Sequence, residues 1–160
     1  MHKVVGVVFL VLTLVSCDSN SVYHQYKDVG NAWNASEFIN FEIAIADSIR
    51  PHNVFITVRN TYEYPYNNLF LITQLDFPNG KQLTDTLEYE MATPTGELLG
   101  KGWSDLKESK LWYKEGVRFR ESGTYTLSIR HAMRRNGQVE GDTKLNGVSD
   151  VGVRIEKFKE

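Results

Sequence analysis

Cysteine is almost absent from this chain: of 160 residues only Cys17 is one. A single cysteine excludes an internal disulfide, so any domain here must be held by burial alone. The length suffices for one domain of ordinary size. Charge of one sign is also missing, since 18 basic and 20 acidic side chains leave a formal net charge of -2. Such a balance supplies no electrostatic footprint for nucleic acid. Long apolar runs are missing too. The stretch Val4 to Val15 falls short of the about 20 helical residues that cross a bilayer, and it ends in the polar string Asp18-Ser19-Asn20-Ser21. A permanent transmembrane helix is not expected.

What the start does contain is a short basic end, Met1-His2-Lys3, then that apolar run, then the small residue Ser16 before Cys17. This is the layout of a secretory signal. Leu14-Val15-Ser16-Cys17 resembles the bacterial lipobox, in which peptidase cleavage between Ser16 and Cys17 leaves an acylated cysteine as the first mature residue. A thiolate has the nucleophilicity that thioether formation demands. Each buried methylene contributes about 0.8 kcal/mol, so two or three chains would anchor the protein durably. Residues 1–16 are therefore expected to be a lipoprotein-type signal peptide, 17–29 a lipidated polar tether, and 30–160 one domain.

Beyond the tether, apolar residues alternate at period two in Ile39-Phe41-Ile43-Ile45, Val54-Ile56-Val58, Leu83 to Met91, Tyr125-Leu127-Ile129 and Val151-Val153-Ile155. Each run presents one apolar face, as a half-buried strand does. Leu69-Phe70-Leu71-Ile72 lacks alternation and reads as a central or doubly buried strand. Pro78-Asn79-Gly80, Thr93-Pro94-Thr95-Gly96, Ser122-Gly123, Asn136-Gly137 and Asn146-Gly147 supply turn chemistry between the runs. Only Ser104 to Leu111 looks helical, for a turn or two. The expected class is all-β, an antiparallel two-sheet β-sandwich of jelly-roll or immunoglobulin-like kind with at most one short helix.

Catalytic motifs are not in evidence. Gly96 to Gly102 lacks the glycine spacing and the hydroxyl of a phosphate-binding loop and reads as a glycine-rich connection. His24, His52 and His131 have no second ligand at metal-site spacing, so no metal and no cofactor is expected. No serine sits in a nucleophile elbow. Asp85, Glu88 and Glu90 are carboxylates on one strand, with Glu88 and Glu90 on its outward face, where solvation explains them.

The most unusual stretch is Arg59 to Asn68, where Tyr62, Tyr64 and Tyr66 alternate in a loop-like setting. Amphipathic rings suit protein interfaces and sugar stacking, and they also suit covering the ends of a sandwich core. Arg59, Tyr62, Tyr64, Tyr66, Trp103 and Arg134 form the candidate partner-binding surface, with a glycan as the alternative occupant. Asp47-Ser48-Ile49 and Asp85-Thr86-Leu87 match a short acceptor pattern for O-linked glycans, at Ser48 and Thr86.

In their order, the lipobox, Arg59-Asn60, Tyr64-Pro65-Tyr66-Asn67-Asn68-Leu69, Asp85-Thr86, Leu99-Gly100-Lys101-Gly102, Ala132-Met133-Arg134 and Gly147 to Gly152 resemble the gliding motility lipoprotein H family (GldH) of Bacteroidota. Where the family pattern suggests glutamine before Ala132, this chain has His131, which argues against chemistry at that histidine. The resemblance implies a non-enzymatic, lipid-anchored envelope protein, placed at the outer membrane and facing the periplasm. It further implies contacts with other envelope proteins of the gliding or adhesin-secretion machinery.

Overall fold

A computed structural model describes residues 20–159. The expected signal peptide, Ser16 and Cys17 lie outside the described residues. Ten strands run through the rest: β1 (Ser21–Asp28), β2 (Ala32–Asn34), β3 (Ile39–Ile43), β4 (His52–Asn60), β5 (Asn68–Asp76), β6 (Gln82–Glu90), β7 (Lys107–Val117), β8 (Tyr125–His131), β9 (Lys144–Asn146) and β10 (Val148–Lys157). There is no helix among the described residues.

The strands form two four-stranded antiparallel sheets, β1-β10-β4-β7 and β3-β8-β5-β6, with β2-β9 as a separate small pair. The pairing is nested. The first strand pairs with the last, β2 with β9, β3 with β8, β4 with β7, and β5 with β6. The chain is thus one long hairpin folded over on itself, closed by the lateral pairs β10–β4 and β5–β8. That winding is the jelly-roll arrangement of the two-sheet sandwich.

Alternation decides which residues make the core. Val54, Ile56 and Val58 of β4 share a face with Leu111 of β7 and with Val151, Val153 and Ile155 of β10. Phe41, Leu69, Leu71, Leu127 and Ile129 supply the facing layer from the second sheet, and both sets belong to one buried cluster. Strand β5 lies between β8 and β6, which is why Phe70 and Ile72 on its outer side are also half-buried.

Two expectations need correction. Ser104 to Leu111 is not helical: Ser104 has φ 65°, outside right-handed helical space, and β7 begins at Lys107. Ser109, Leu111 and Tyr113 turn inward there, an alternation hidden in the sequence among charged residues that favour helices in isolation. The polar stretch expected to be tether contains β1, an edge strand in register with β10 from Ser21 to Asp28. Its polar residues are tolerated because an edge strand faces water along one side.

Candidate functional site

A wide concavity lies on the outer face of the β3-β8-β5-β6 sheet, an open groove of about 1290 Å³. Phe70 and Ile72 from β5, Thr86 from β6 and Arg130 from β8 line it, and the β8–β9 connection forms the opposite wall. That connection is held by backbone bonds. The Ala132 amide donates to the Phe70 carbonyl at 2.9 Å and the Asp142 amide to the Met133 carbonyl at 2.8 Å. The Phe70 amide points at Met133 Sδ, 3.1 Å away. Asp142 in turn accepts from the Tyr66 hydroxyl.

The groove walls are polar and the floor is partly apolar. Burial, and then the negative charge of Asp142, push the Tyr66 phenol above its ordinary value, while Arg135 opposes the shift. Tyr66 is therefore a neutral donor at physiological pH. The Arg130 guanidinium lies over the Phe38 ring at 5.2 Å, an arrangement that holds its charge beside the groove. Arg134 and Arg135 are exposed on the wall. Cations, a phenol and amides around a half-apolar floor can bind a polypeptide or a sugar.

The residues expected to form one surface are scattered over several parts of the fold. Tyr66 and Arg134 meet at the groove, with Thr86 at its edge. Tyr64 is buried, 6% exposed, and its hydroxyl donates to the Asn68 carbonyl at 2.6 Å. Burial, followed by the neighbouring Tyr66, pushes its phenol far up. Tyr64 thus covers the end of the core, and it belongs to no contact surface. Tyr62 is 61% exposed and Trp103 is 96% exposed, the latter in the β6–β7 connection, none of which lines the groove. Arg59 sits on the outer face of the other sheet. Ser48 is exposed in the β3–β4 connection.

That other outer face carries an arrangement the sequence pattern did not single out. Arg59 stacks over the Tyr26 ring at 4.0 Å and pairs with Glu108 at 2.9 Å. One rung further, Lys110 lies 4.0 Å over Phe55 and pairs with Glu156 at 2.7 Å, which also accepts from Arg154 at 2.5 Å. Phe55 packs against Trp112 with centroids 4.4 Å apart. Burial alone would raise the Glu156 carboxyl, but Lys110 and Arg154 hold it below its ordinary value. The signal was present in β4, whose outward residues Phe55 and Arg59 are large or charged where a plain surface strand would be small and polar. The charged groups pair with one another across this face.

His131 is wholly buried. Its Nε2 lies 3.0 Å from the Trp33 carbonyl and its Nδ1 accepts the Met133 amide at 3.4 Å. Nε2 thereby joins β8 to β2 while Nδ1 is used locally at the end of β8, and burial holds the imidazole below its ordinary pKa. Asp85, on the inner side of β6, accepts from the Tyr113 hydroxyl at 3.0 Å and pairs with Lys114 at 2.9 Å, bridging the two sheets along one edge. Among the described residues no three histidine, cysteine or carboxylate side chains converge to hold a metal ion.

Among solved structures the chain is similar to a chain of infectious bursal disease virus Gx strain, at TM-score 0.38 and 11% identity, covering 89% of this chain and 38% of that one. A likeness so distant carries no argument. Relatives by sequence are much nearer. The chain is 50% identical over 150 residues to the gliding motility lipoprotein GldH homolog of Christiangramia forsetii, covering 94% of this chain and 92% of the relative. It is 44% identical over 153 residues to the gliding motility lipoprotein GldH of Flavobacterium johnsoniae, covering 95% of each. Residues 21–155, from the first residue of β1 to the end of β10's inward run, match the GldH lipoprotein family, and with such coverage the chain belongs to that family.

Proposed function

We propose that this protein is lipid-anchored through Cys17 in the cell envelope and acts without catalysis, as a docking domain for other envelope proteins that support gliding motility and the associated secretion or transport of adhesins. The observation that carries the reading is the groove that gathers Tyr66 and Arg134 with Arg130 and Asp142 on a rigid sheet. Binding residues on a scaffold this well bonded lose little freedom when a partner docks. Anchoring on one membrane raises the effective concentration of partners, so modest contacts suffice. Outer-membrane attachment facing the periplasm fits the same reading, and Ser48 and Thr86 are both exposed enough to accept an O-linked glycan.

The test is site-specific photocrosslinking in a gliding relative, with the reactive residue at Arg134 in one strain and at Trp112 in another. Recovery of an envelope protein from the Arg134 position alone, together with loss of surface movement in an Arg134→Glu, Tyr66→Ala strain, is the expected result. No crosslinked envelope protein at Arg134, with normal movement in the double variant, would remove the reading. A glycan is the second occupant the groove allows, because Tyr66 and Phe70 offer ring surface beside polar groups. A glycan array on which binding disappears with Tyr66→Ala would favour it over a protein partner.

A further inference from the structure

A second cavity, of about 460 Å³, lies inside the sandwich at the end opposite Tyr64. Its wall is hydrocarbon from both sheets: Ile43, Val54, Leu75, Val117, Phe119 and Leu127. The phenolic oxygens in that wall are already engaged. The Tyr113 hydroxyl serves Asp85, and the Tyr125 hydroxyl accepts the Glu121 amide at 3.0 Å. Water finds few partners in such a space, which suits an apolar occupant and no sugar or nucleotide. The volume falls within the range of about 300–1,000 Å³ typical of small-ligand sites.

The mouth lies between the start of β6 and the β7–β8 connection, where the lining residues Leu83, Arg118 and Arg120 reach solvent. Lys114 is occupied by Asp85. Arg118 gives only its Nε, to the Ile49 carbonyl at 3.0 Å. Arg120 makes no ion pair among the described residues. An apolar interior with free guanidinium nitrogens at its rim is the complement of a hydrocarbon chain ending in an anion.

The position of this mouth narrows the source. Across the first sheet, Ser21 pairs with Glu156, Lys157 with His52, and His52 with Val117, so the start of β1 lies at the cavity end. Cys17 precedes Ser21 by four residues, a reach of at most about 14 Å. Ile49, 82% exposed, and Arg50 project from the same end. Given the lipid anchor proposed above, this end is the one held against the bilayer. We infer that the inter-sheet cavity is a binding site for a long acyl chain, either that of a membrane lipid whose anionic head meets the rim arginines or a chain of the neutral lipid on the protein's own Cys17, which enters without such a head.

Two arms test this with the full-length chain in phosphatidylcholine vesicles. In one, a palmitate analogue carrying a tail diazirine and a terminal alkyne is added to the vesicles. In the other, the same analogue is fed to the cells so that it enters the lipid on Cys17. After irradiation, label on peptides spanning 75–83 and 113–127 supports the inference, from a bilayer lipid if the first arm gives it and from the protein's own lipid if only the second does. Leu83→Trp, at the exposed mouth, should cut that label at least fivefold. Arg120→Glu should weaken the added acid several-fold while sparing the matching alcohol. Label spread over outer surfaces in both arms, unchanged by Leu83→Trp, would overturn the inference. If the fed analogue leaves Cys17 unmarked while the added one labels the cavity, the anchor reading fails and the cavity site stands.

Discussion

The two ends of the sandwich are built from the same nested hairpin and are finished differently. At one end the extra rung β2–β9 lies across the opening, bringing Trp33 and Leu145 into the core, and Tyr64 fills what remains. Backbone bonds lock that stopper: the Thr61 amide donates to the Gly147 carbonyl at 2.8 Å, and the Gly147 amide to the Asn31 carbonyl at 3.0 Å. At the other end no such rung exists among the described strands, and a cavity remains between the sheets. A sandwich is sealed along its length by alternation, whereas each end needs its own device. The contrast therefore predicts unequal responses to the same substitution at the two ends.

The largest expected difference concerns alanine in place of two glycines with left-handed backbones. At the closed end Gly147 has φ +79°, and a Cβ there would lie 2.3 Å from the Tyr64 nitrogen and 2.6 Å from the Glu63 carbonyl carbon. Gly116, at the open end, has φ +62°, and a Cβ would meet nothing nearer than the Phe158 ring at 3.8 Å. Gly116→Ala should cost only the left-handed strain, roughly 1–2 kcal/mol. Gly147→Ala must also displace backbone, and a loss of more than about 4 kcal/mol, or failure to fold, is expected. Urea unfolding of the two variants measures the difference, and equal losses would show that the Tyr64 stopper yields.

A smaller contrast follows from added volume. Val148 is fully buried in the closed-end core, and Val148→Leu should lose about 1–3 kcal/mol through overpacking. Val54 borders the open-end cavity, and Val54→Leu should change stability by less than about 1 kcal/mol in either direction, because the added methylene has space to enter. A loss at Val54 matching that at Val148 would mean that the cavity is closed in solution.

The sequence made the long walls of this molecule legible and left its ends obscure. Ile39-Phe41-Ile43 and Val151-Val153-Ile155 announced their strands because half-burial of a pleated strand writes itself at period two. The three-residue strands β2 and β9 are too short for any period, so Trp33 gave no warning that it closes the core. Nested pairing was equally hidden, since alternation says which side of a strand is buried and nothing about its neighbour. In the candidate site, Tyr66 and Arg134 were picked from one tyrosine-rich stretch and one basic cluster, and the fold brings them to one groove. Tyr64, two residues away in that stretch, points into the core, because the turn after β4, closed by the Tyr64 amide on the Thr61 carbonyl at 3.1 Å, breaks the period that would put all three tyrosines on one side.

The smallest expected effect separates the ends by proton. His131 at the closed end and His52 at the open end are both buried, and burial lowers each imidazole below its ordinary 6.5, against the raising influence of the Trp33 carbonyl at His131 and of Asp47 at His52. In the unfolded chain each takes up a proton near 6.5, while the folded protein keeps it neutral to lower pH. The unfolded state thus binds more protons below that value, so stability is fully present above about 6.5 and is lost as pH falls toward the depressed folded values. One such group can tilt stability by no more than about 1.4 kcal/mol per pH unit. His131→Gln keeps a donor for the Trp33 carbonyl and removes the titration, so the fall in unfolding free energy between pH 7 and 5 should become shallower. His52→Gln should flatten the same curve by its own share, and the double variant by the sum, since the two sites lie at opposite ends and share no partner. A slope unchanged in His131→Gln would show that the closed end opens to water readily enough to protonate that ring, and that the seal formed by Trp33, Tyr64 and Leu145 is looser than its bonding implies.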